Sequence, residues 1–291
     1  MSEKIEAKDT IFCKKPSLNL RGELVTIDKP WVMGILNIGP DSFYDGGLYQ
    51  QTHLALGQCE KMLSEGAQII DIGAASSKPR ATALTADEEW KRLENTVNSI
   101  RKEFPKAYLS VDTYHAAVAE KTAHIGADII NDISGGTLDL EMAKTMAKIK
   151  LPYILMHMQG NPQNMQQNPQ YEHVFKEIAH FFSEQLALFT QAGVADVILD
   201  PGFGFGKTLK HNYELLAALD KFKIFKNPLL VGLSRKSMIG NLLDVPAKET
   251  LNGTTAAHVI ALQNGAQILR VHDVKEAVEA VKIVTFTQNL G

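Results

Sequence analysis

Eight short apolar runs recur along the chain, each followed by an amphipathic stretch, and this alternation restricts the architecture more than any other feature. The runs are WVMGILN (31–37), QIIDIG (68–73), YLSVDT (108–113), DIINDI (128–133), PYILMH (152–157), VILDPG (197–202), LLVGLS (229–234) and ILRVHD (268–273). Runs this continuous suit strands covered on both faces, as in parallel sheets. The stretches 52–65, 85–103, 115–125, 139–149, 170–192, 210–220, 248–264 and 273–288 have helical texture. In 170–192, Phe175, Ile178, Phe182 and Leu186 recur at helical spacing. Eight strands alternating with eight helices over about 260 residues predict an α/β chain folded as a (β/α)8 TIM barrel. A doubly wound sheet competes, but it would more usually carry G-x-G-x-x-G after its first strand, and none stands there. Ahead of the barrel, TIFCKK and GELVTI read as an N-terminal β-hairpin over about 9–28, placed to plug the barrel bottom. No low-complexity linker divides the 291 residues, so a single domain is expected, its barrel spanning about 31–290.

Composition narrows the function classes. The chain is 45% hydrophobic and 22% charged with a formal net charge of -3, and it shows no basic excess or stripe of the kind a nucleic-acid binder uses. The first residues, MSEKIEAKDT, lack the apolar centre of a signal peptide, and no apolar window is long enough to span a membrane. Cys13 and Cys59 make no C-x-x-C pair, so they read as small thiols rather than metal ligands or a disulfide. A reducing, cytoplasmic setting and small-molecule partners are expected, with neither nucleic acid nor membrane.

In such a barrel the active site lies at the C-terminal strand ends. Those ends carry Asn37, Asp71, Asp112, Asn131, His157, Asp200, Ser234-Arg235-Lys236, and Arg270 with His272. A single Asp or Asn at a strand end is commonly a turn or cap residue. Eight polar ends in register instead converge on one pocket. Asp112, Asn131 and Asp200 suit a flat heterocycle with a donor-rich edge, such as a 2-amino-4-oxo pyrimidine, because a carboxylate can take two N–H donors at once. Arg235, Lys236, Arg270 and His272 ask for a phosphate or carboxylate. DPGFGFGKT (200–208) adds a glycine-hinged loop with two aromatic faces, Phe203 and Phe205. Its G-F-G-K-T is one residue short of P-loop spacing and follows the wrong strand for a nucleotide fold. His157 is as consistent with an internally hydrogen-bonded structural histidine as with a ligand contact. No arrangement for nucleophilic Ser or Cys catalysis is present.

One strand, VMGILN, runs straight into a polar, glycine-rich loop, IGPDSFYDGG, and further long motifs follow: SVDTY, NDISGG, LMHMQGNPQNMQ, DPGFGFGKT, VGLSRKSMIG and ILRVHDV. In this order they resemble the dihydropteroate synthases, folate-pathway enzymes of the pterin-binding barrel family, from about Trp31 to the end of the chain. The resemblance implies that Asn37 binds the Mg²⁺ accompanying a pyrophosphate, and that Asp112, Asn131, Asp200 and Lys236 hold a pterin ring. It implies that Arg270 and His272 take the pyrophosphate, with Ser77 nearby, and that Phe43, Pro79, Phe205 and Ser237 build a p-aminobenzoate pocket. Ser237 at a helix start suits a carboxylate, because unpaired backbone N–H groups point at it. The implied reaction joins 6-hydroxymethyl-7,8-dihydropterin pyrophosphate to p-aminobenzoate. Its route is dissociative, with Asp45 steadying the pterin cation from the closed first loop, whose Gly46-Gly47 hinge lets it cover the substrates. The catalytic set is then Asp45, Lys236, Arg270 and His272. A homodimer formed through the last helices and sensitivity to sulfonamides are also implied.

The chain departs from the family pattern at Gly39, where Thr is usual, and in the second loop, where Ala75 replaces an acid, Lys78 an Arg and Arg80 a Gly. A looser second loop with a raised KM for p-aminobenzoate is the expectation, since Lys lacks the planar fork of Arg. Two other readings compete: a pterin-dependent methyltransferase on the same barrel, against which the S-R-K-S and R-V-H-D motifs argue, and a pterin-binding protein without catalysis.

Overall fold

The computed structural model describes residues 16–39, 47–74 and 83–290, with backbone alone for 47–51. TIFCKK with Cys13, the loop residues Phe43 and Asp45, and the second-loop residues Ala75, Ser77, Lys78, Pro79 and Arg80 lie outside the described residues.

The first strands, β1 (Ser17–Leu20) and β2 (Glu23–Thr26), pair antiparallel. GELVTI thus finds a partner in SLNL. Arg21 and Gly22, at φ 58° and 81°, form the two-residue turn between them, and positive φ at both central positions matches the twist of a hairpin. The chain then alternates: β3 (Trp31–Asn37), α1 (Gly47–Ser64), β4 (Ile69–Gly73), α2 (Ala86–Glu103), β5 (Tyr108–Asp112), α3 (Ala116–His124), β6 (Ile129–Asp132), α4 (Met142–Ile149), β7 (Tyr153–Met156), α5 (Val174–Ala192), β8 (Val197–Asp200), α6 (Leu209–Ala217), β9 (Leu230–Val231), α7 (Ser237–Leu243), α8 (Leu251–Gln263), β10 (Ile268–Val271) and α9 (Val274–Gln288). The eight later strands pair in parallel in the order β8-β7-β6-β5-β4-β3-β10-β9, and a bridge between Leu199 and Leu229 brings the two edges together. The expected barrel is present and nearly closed. The short α7 is an addition to the expected eight helices.

Period-two alternation divides the apolar residues into two cores. Outward-facing residues, such as Val32, Ile70, Val111, Ile130, Leu155, Leu199 and Leu269, pack under the helices. Inward-facing Trp31, Met33, Ile69, Ile129, Ile154, Ile198, Leu230 and Ile268 form a separate layer, which Leu18, Leu20 and Ile27 cap from the hairpin. The hairpin therefore seals the barrel at the N-terminal ends of the strands. Gly34 shows how closely the outer layer fits: a Cβ there would sit 2.7 Å from Met62 Sδ and 3.2 Å from Val274 Cγ2.

Asp128 ties the seal to the barrel wall. Its carboxylate accepts from Arg21 Nε at 2.7 Å, Arg101 Nη2 at 2.5 Å and Leu109 N at 2.8 Å. Asp128→Ala is expected to cost about 2 kcal/mol, less than a fully buried pair would, because both guanidiniums keep carbonyl partners and some solvent. A lowered urea midpoint measures this, and an unchanged midpoint would mean the plug is held by packing alone.

Glu89, on α2, is only 1% exposed and accepts a hydrogen bond from Thr113 Oγ1 at 2.8 Å. Burial pushes its carboxyl up to about 8, and the nearby Asp112 and Asp132 add to the shift. The folded chain therefore keeps a proton that the unfolded chain releases above about 4.5, so this group lowers stability as pH rises from there to about 8. Glu89→Gln should remove that slope: relative to wild type, the variant gains stability at pH 9 over pH 5 in urea titrations. Parallel pH curves for the two proteins would refute the assignment.

Candidate active site

Two residues beyond the apolar interior layer the barrel turns polar. Ile69 is followed inward by Asp71, Ile129 by Asn131, Ile198 by Asp200 and Ile268 by Arg270, because each step of two returns to the same face of the strand. On β5 the same face carries Tyr108, Ser110 and Asp112. The strand register sets Asn37, Gly73, Asp112 and Asn131 side by side across four neighbouring strands. A Cβ on Gly73 would lie 3.4 Å from Asp112 Cβ and 3.5 Å from Asn37 Oδ1, so glycine leaves both side chains room to stand beside it.

Arg270 crosses this layer. Its Nε donates to Asp71 Oδ2 at 2.6 Å and its Nη2 to Asp112 Oδ2 at 2.9 Å, while Asn131 Nδ2 donates to Asp71 Oδ2 at 3.1 Å. Asp71 is fully buried and its Oδ1 has no hydrogen-bond partner among the described residues. It is thus a counter-ion beneath the pocket rather than a strand-end group open to ligand. Asp200, 5% exposed, accepts from Gly202 N at 2.8 Å through Oδ1. Burial raises its carboxyl above the ordinary range, while the Gly202 N–H and then the charges of Lys236, Arg270 and Lys207 pull it back.

The loop after β8 brings in Lys236. Lys236 Nζ donates to Phe203 O and lies 4.1 Å from the centre of the Phe205 ring. Burial lowers this ammonium to about 8, opposed chiefly by Asp200. The two aromatics of the loop divide: Phe205 lies in an apolar group with Ile133, Met156 and Met165, whereas Phe203 is wholly buried in the outer core. Only one of the two expected aromatic faces is therefore available, since residues two apart but separated by a positive-φ glycine, Gly204, take different directions.

His272 follows β10, and its N and Nδ1 lie 3.1 and 3.2 Å from Ser234 Oγ. Desolvation, then the Arg270 charge, hold its imidazole below the ordinary value, so it stands neutral at pH 7 with its outer edge open to solvent. Ser237 is exposed as the first residue of α7. Arg235 does not offer its charge: Asp273 takes Nε at 2.9 Å and Nη2 at 2.7 Å. Cys59 is buried, and desolvation pushes its thiol up to about 12, which makes it an inert core residue.

Of the expected site residues, Asp112, Asn131, Asp200, Lys236 and Arg270 meet at the barrel mouth, with Phe205 on the Lys236 side, and Asn37 standing at one rim and His272 at another. Phe43, Asp45, Ser77 and Pro79 lie outside the described residues. Sequence reasoning assigned no role to Lys207, which is 3% exposed and donates to His157 Nδ1 at 3.1 Å. His157 is thereby the internally bonded histidine.

Asn37 supplies a single side-chain oxygen at its rim, and no cluster of three or more His, Cys, Asp or Glu suited to a metal occurs among the described residues. One protein oxygen fits Mg²⁺, which usually keeps waters and takes its remaining ligands from substrate phosphates.

Residues 33–272 match the pterin binding enzyme family. The dihydropteroate synthase of Escherichia coli (strain K12) is 47% identical over 273 residues, covering 92% of this chain and 95% of that protein. Among solved structures, the Yersinia pestis dihydropteroate synthase in complex with a sulfonamide drug is 47% identical, with a TM-score of 0.88 over 94% of this chain and 99% of that one. The Xanthomonas albilineans dihydropteroate synthase with 4-aminobenzoic acid is 36% identical, with a TM-score of 0.87 over 94% and 98% of the two chains.

Proposed function

The chain belongs to the pterin binding enzyme family, and from that premise we infer that it is a dihydropteroate synthase, a transferase. It condenses 6-hydroxymethyl-7,8-dihydropterin pyrophosphate with p-aminobenzoate to give 7,8-dihydropteroate and pyrophosphate. The observation that carries this reading is the polar layer itself: acids and an amide for a donor-rich ring, crossed by cations for an anionic leaving group.

Asp200, Asn131 and Asp112 receive the amino-pyrimidine edge of the pterin, whose N–H groups pair with carboxylates in charge-assisted bonds. Lys236, bound to Phe203 O and lying over Phe205, closes the other side of the ring. Arg270 and His272 take the pyrophosphate; Arg270 carries the fixed charge and neutral His272 donates a hydrogen bond. The methylene C–O bond then breaks with its electron pair leaving on pyrophosphate, and the electron-rich pterin bears the cation. The aniline nitrogen, neutral at pH 7, attacks the methylene carbon and loses its proton to water, so no strong base is needed. Mg²⁺ would be held by Asn37 and phosphate oxygens, where it would neutralise charge on the leaving group. Backbone N–H groups at the start of α7, with Ser237, receive the p-aminobenzoate carboxylate.

The enzyme works in the cytoplasm as a homodimer formed through the last helices. Support for that contact comes from the exposed Ile260 on α8 and Ile283 and Phe286 on α9. No helix among the described residues is long and apolar enough to cross a membrane. The deciding experiment mixes protein, Mg²⁺, the pterin pyrophosphate and p-aminobenzoate and follows pyrophosphate. Release that needs both substrates is expected. Pterin binding without release would leave a non-catalytic pterin-binding protein instead.

A further inference from the structure

We propose that Lys207 is a positioning residue of the pterin site, its buried side-chain nitrogen being the hub from which segment 200–206, and through it Lys236 and Phe205, is hung. The proposal rests on the synthase reading only for its kinetic readout.

Four polar atoms surround the Lys207 nitrogen: Gly202 O at 2.9 Å, Phe205 O at 3.0 Å, His157 Nδ1 at 3.1 Å and His157 O at 3.5 Å. Two of them are the carbonyls that begin and end the bend of the loop. The two atoms of His157 sit on the neighbouring strand end, so the Lys207 nitrogen joins the β7 and β8 sides of the barrel mouth. His157 meets the Lys207 nitrogen through both its Nδ1 and its carbonyl oxygen. It is fixed there by its ring edge against Phe181, at 5.0 Å and 82°. The loop approaches His157 so closely that a Cβ on Gly202, which has φ +69°, would lie 1.9 Å from His157 O. Lys207 is thus enclosed rather than waiting for a phosphate, although it ends a glycine-rich stretch.

What hangs from the hub is the ligand side of the pocket. Phe203 O receives Lys236 Nζ and the Phe205 ring lies under the same ammonium. Asp200, whose Oδ1 bonds to Gly202 N, begins the segment. Gln166, Tyr171 and Asn212 also hold Gly204 and Gly206, through single bonds from outside the loop at 2.6, 2.9 and 2.7 Å. Within the bend, Phe205 N donates to Gly202 O at 3.1 Å, and Lys207 is the side chain that bonds the carbonyls at both of its ends. A shift of this bend moves Lys236 and Phe205 together, so binding of both substrates depends on it while the bond-breaking groups, Arg270 and His272, stay in place.

The test is Lys207→Met, which keeps the chain length and removes the donors. Calorimetry measures pterin affinity, steady-state kinetics measure both substrates, and a melt measures the folded fraction. Roughly tenfold weaker pterin binding and roughly tenfold higher KM for both substrates are expected, the size of one buried hydrogen bond left unmade. At the same time kcat, corrected for folded fraction, should stay within about threefold of wild type. Pterin affinity and both KM values at wild-type levels, with kcat falling only as the folded fraction falls, would overturn the proposal. Should Lys207→Met not fold, Lys207→Gln, one bond shorter but still a donor, is measured in the same way. A several-fold weaker pterin affinity is then expected, and wild-type affinity again overturns it. A wild-type protein that binds pterin but releases no pyrophosphate would sink the synthase reading alone, since the calorimetric comparison still decides the role of Lys207.

Discussion

Arg270→Ala is expected to cost about 3–5 kcal/mol of stability and to abolish useful turnover, the largest effect of any single change at this site. The cause is what it leaves behind. Asp71 is completely buried, Asp112 has 15% of its side chain exposed, and both bond to this one guanidinium. Without it, two carboxylates face each other in a desolvated barrel with only Asn131 as a donor to Asp71. Burial already raises the Asp112 carboxyl to about 7 with Arg270 in place, and removing the guanidinium takes away the main charge opposing that rise, so the variant should recover more stability than wild type as pH is lowered towards 5, opposite to ordinary acid destabilisation. Binding should divide as well. The pyrophosphate substrate loses a forked contact that free hydroxymethyl pterin never had, so its affinity falls further. Urea titrations across pH and calorimetry with both ligands measure this; equal losses for the two ligands would make Arg270 purely structural.

Asp200→Asn should weaken pterin binding by about 2–4 kcal/mol, roughly 30- to 1000-fold, with little loss of stability. The asymmetry follows from its contacts. An amide oxygen can still accept from Gly202 N, so the loop keeps its first anchor. The charge facing the pterin edge disappears, and an amide can turn a donor towards donors. Loss of this charge also removes the main influence that keeps Lys236 protonated, so the ammonium, already lowered to about 8, drops further. Near-wild-type affinity by calorimetry would remove Asp200 from the ligand site.

Much of this architecture can be read in the chain because buried parallel strands need unbroken apolar runs, and the runs at 31–37, 108–113 and 268–273 need almost no adjustment. The polar strand ends are equally legible, since only the C-terminal rim of a barrel gathers such groups. Partners across the barrel are not. Nothing in the neighbourhood of Asp71 announces Arg270, 199 residues away, and Asp71 alone looks like one more pocket acid. Arg235 looks like a phosphate ligand until the fold sets Asp273 beside it. Lys207 was hidden for a different reason: rejecting the P-loop spacing leaves its ammonium without a role until the carbonyls around it are known. The hairpin slipped because its strand boundary depends on the Arg21-Gly22 turn, and arginine is an unusual residue for positive φ.

The ion pair beneath the pocket also has a meaning for assembly. Asp71, Asp112 and Asn131 lie on strands that join as sequence neighbours, whereas Arg270 arrives from β10, which docks on the far edge of β3. Docked one residue out of register, β10 would turn Arg270 towards the helices and strand the two acids inside. Docked two residues out, it would press a guanidinium into the apolar layer of Met33, Ile69 and Ile129, or lift it off both partners. Each mistake carries an uncompensated buried charge, at a cost of several kcal/mol that apolar packing alone does not impose. The residues that make the pocket reactive therefore also proofread the closing of the ring, and only a correctly closed barrel has a site to offer.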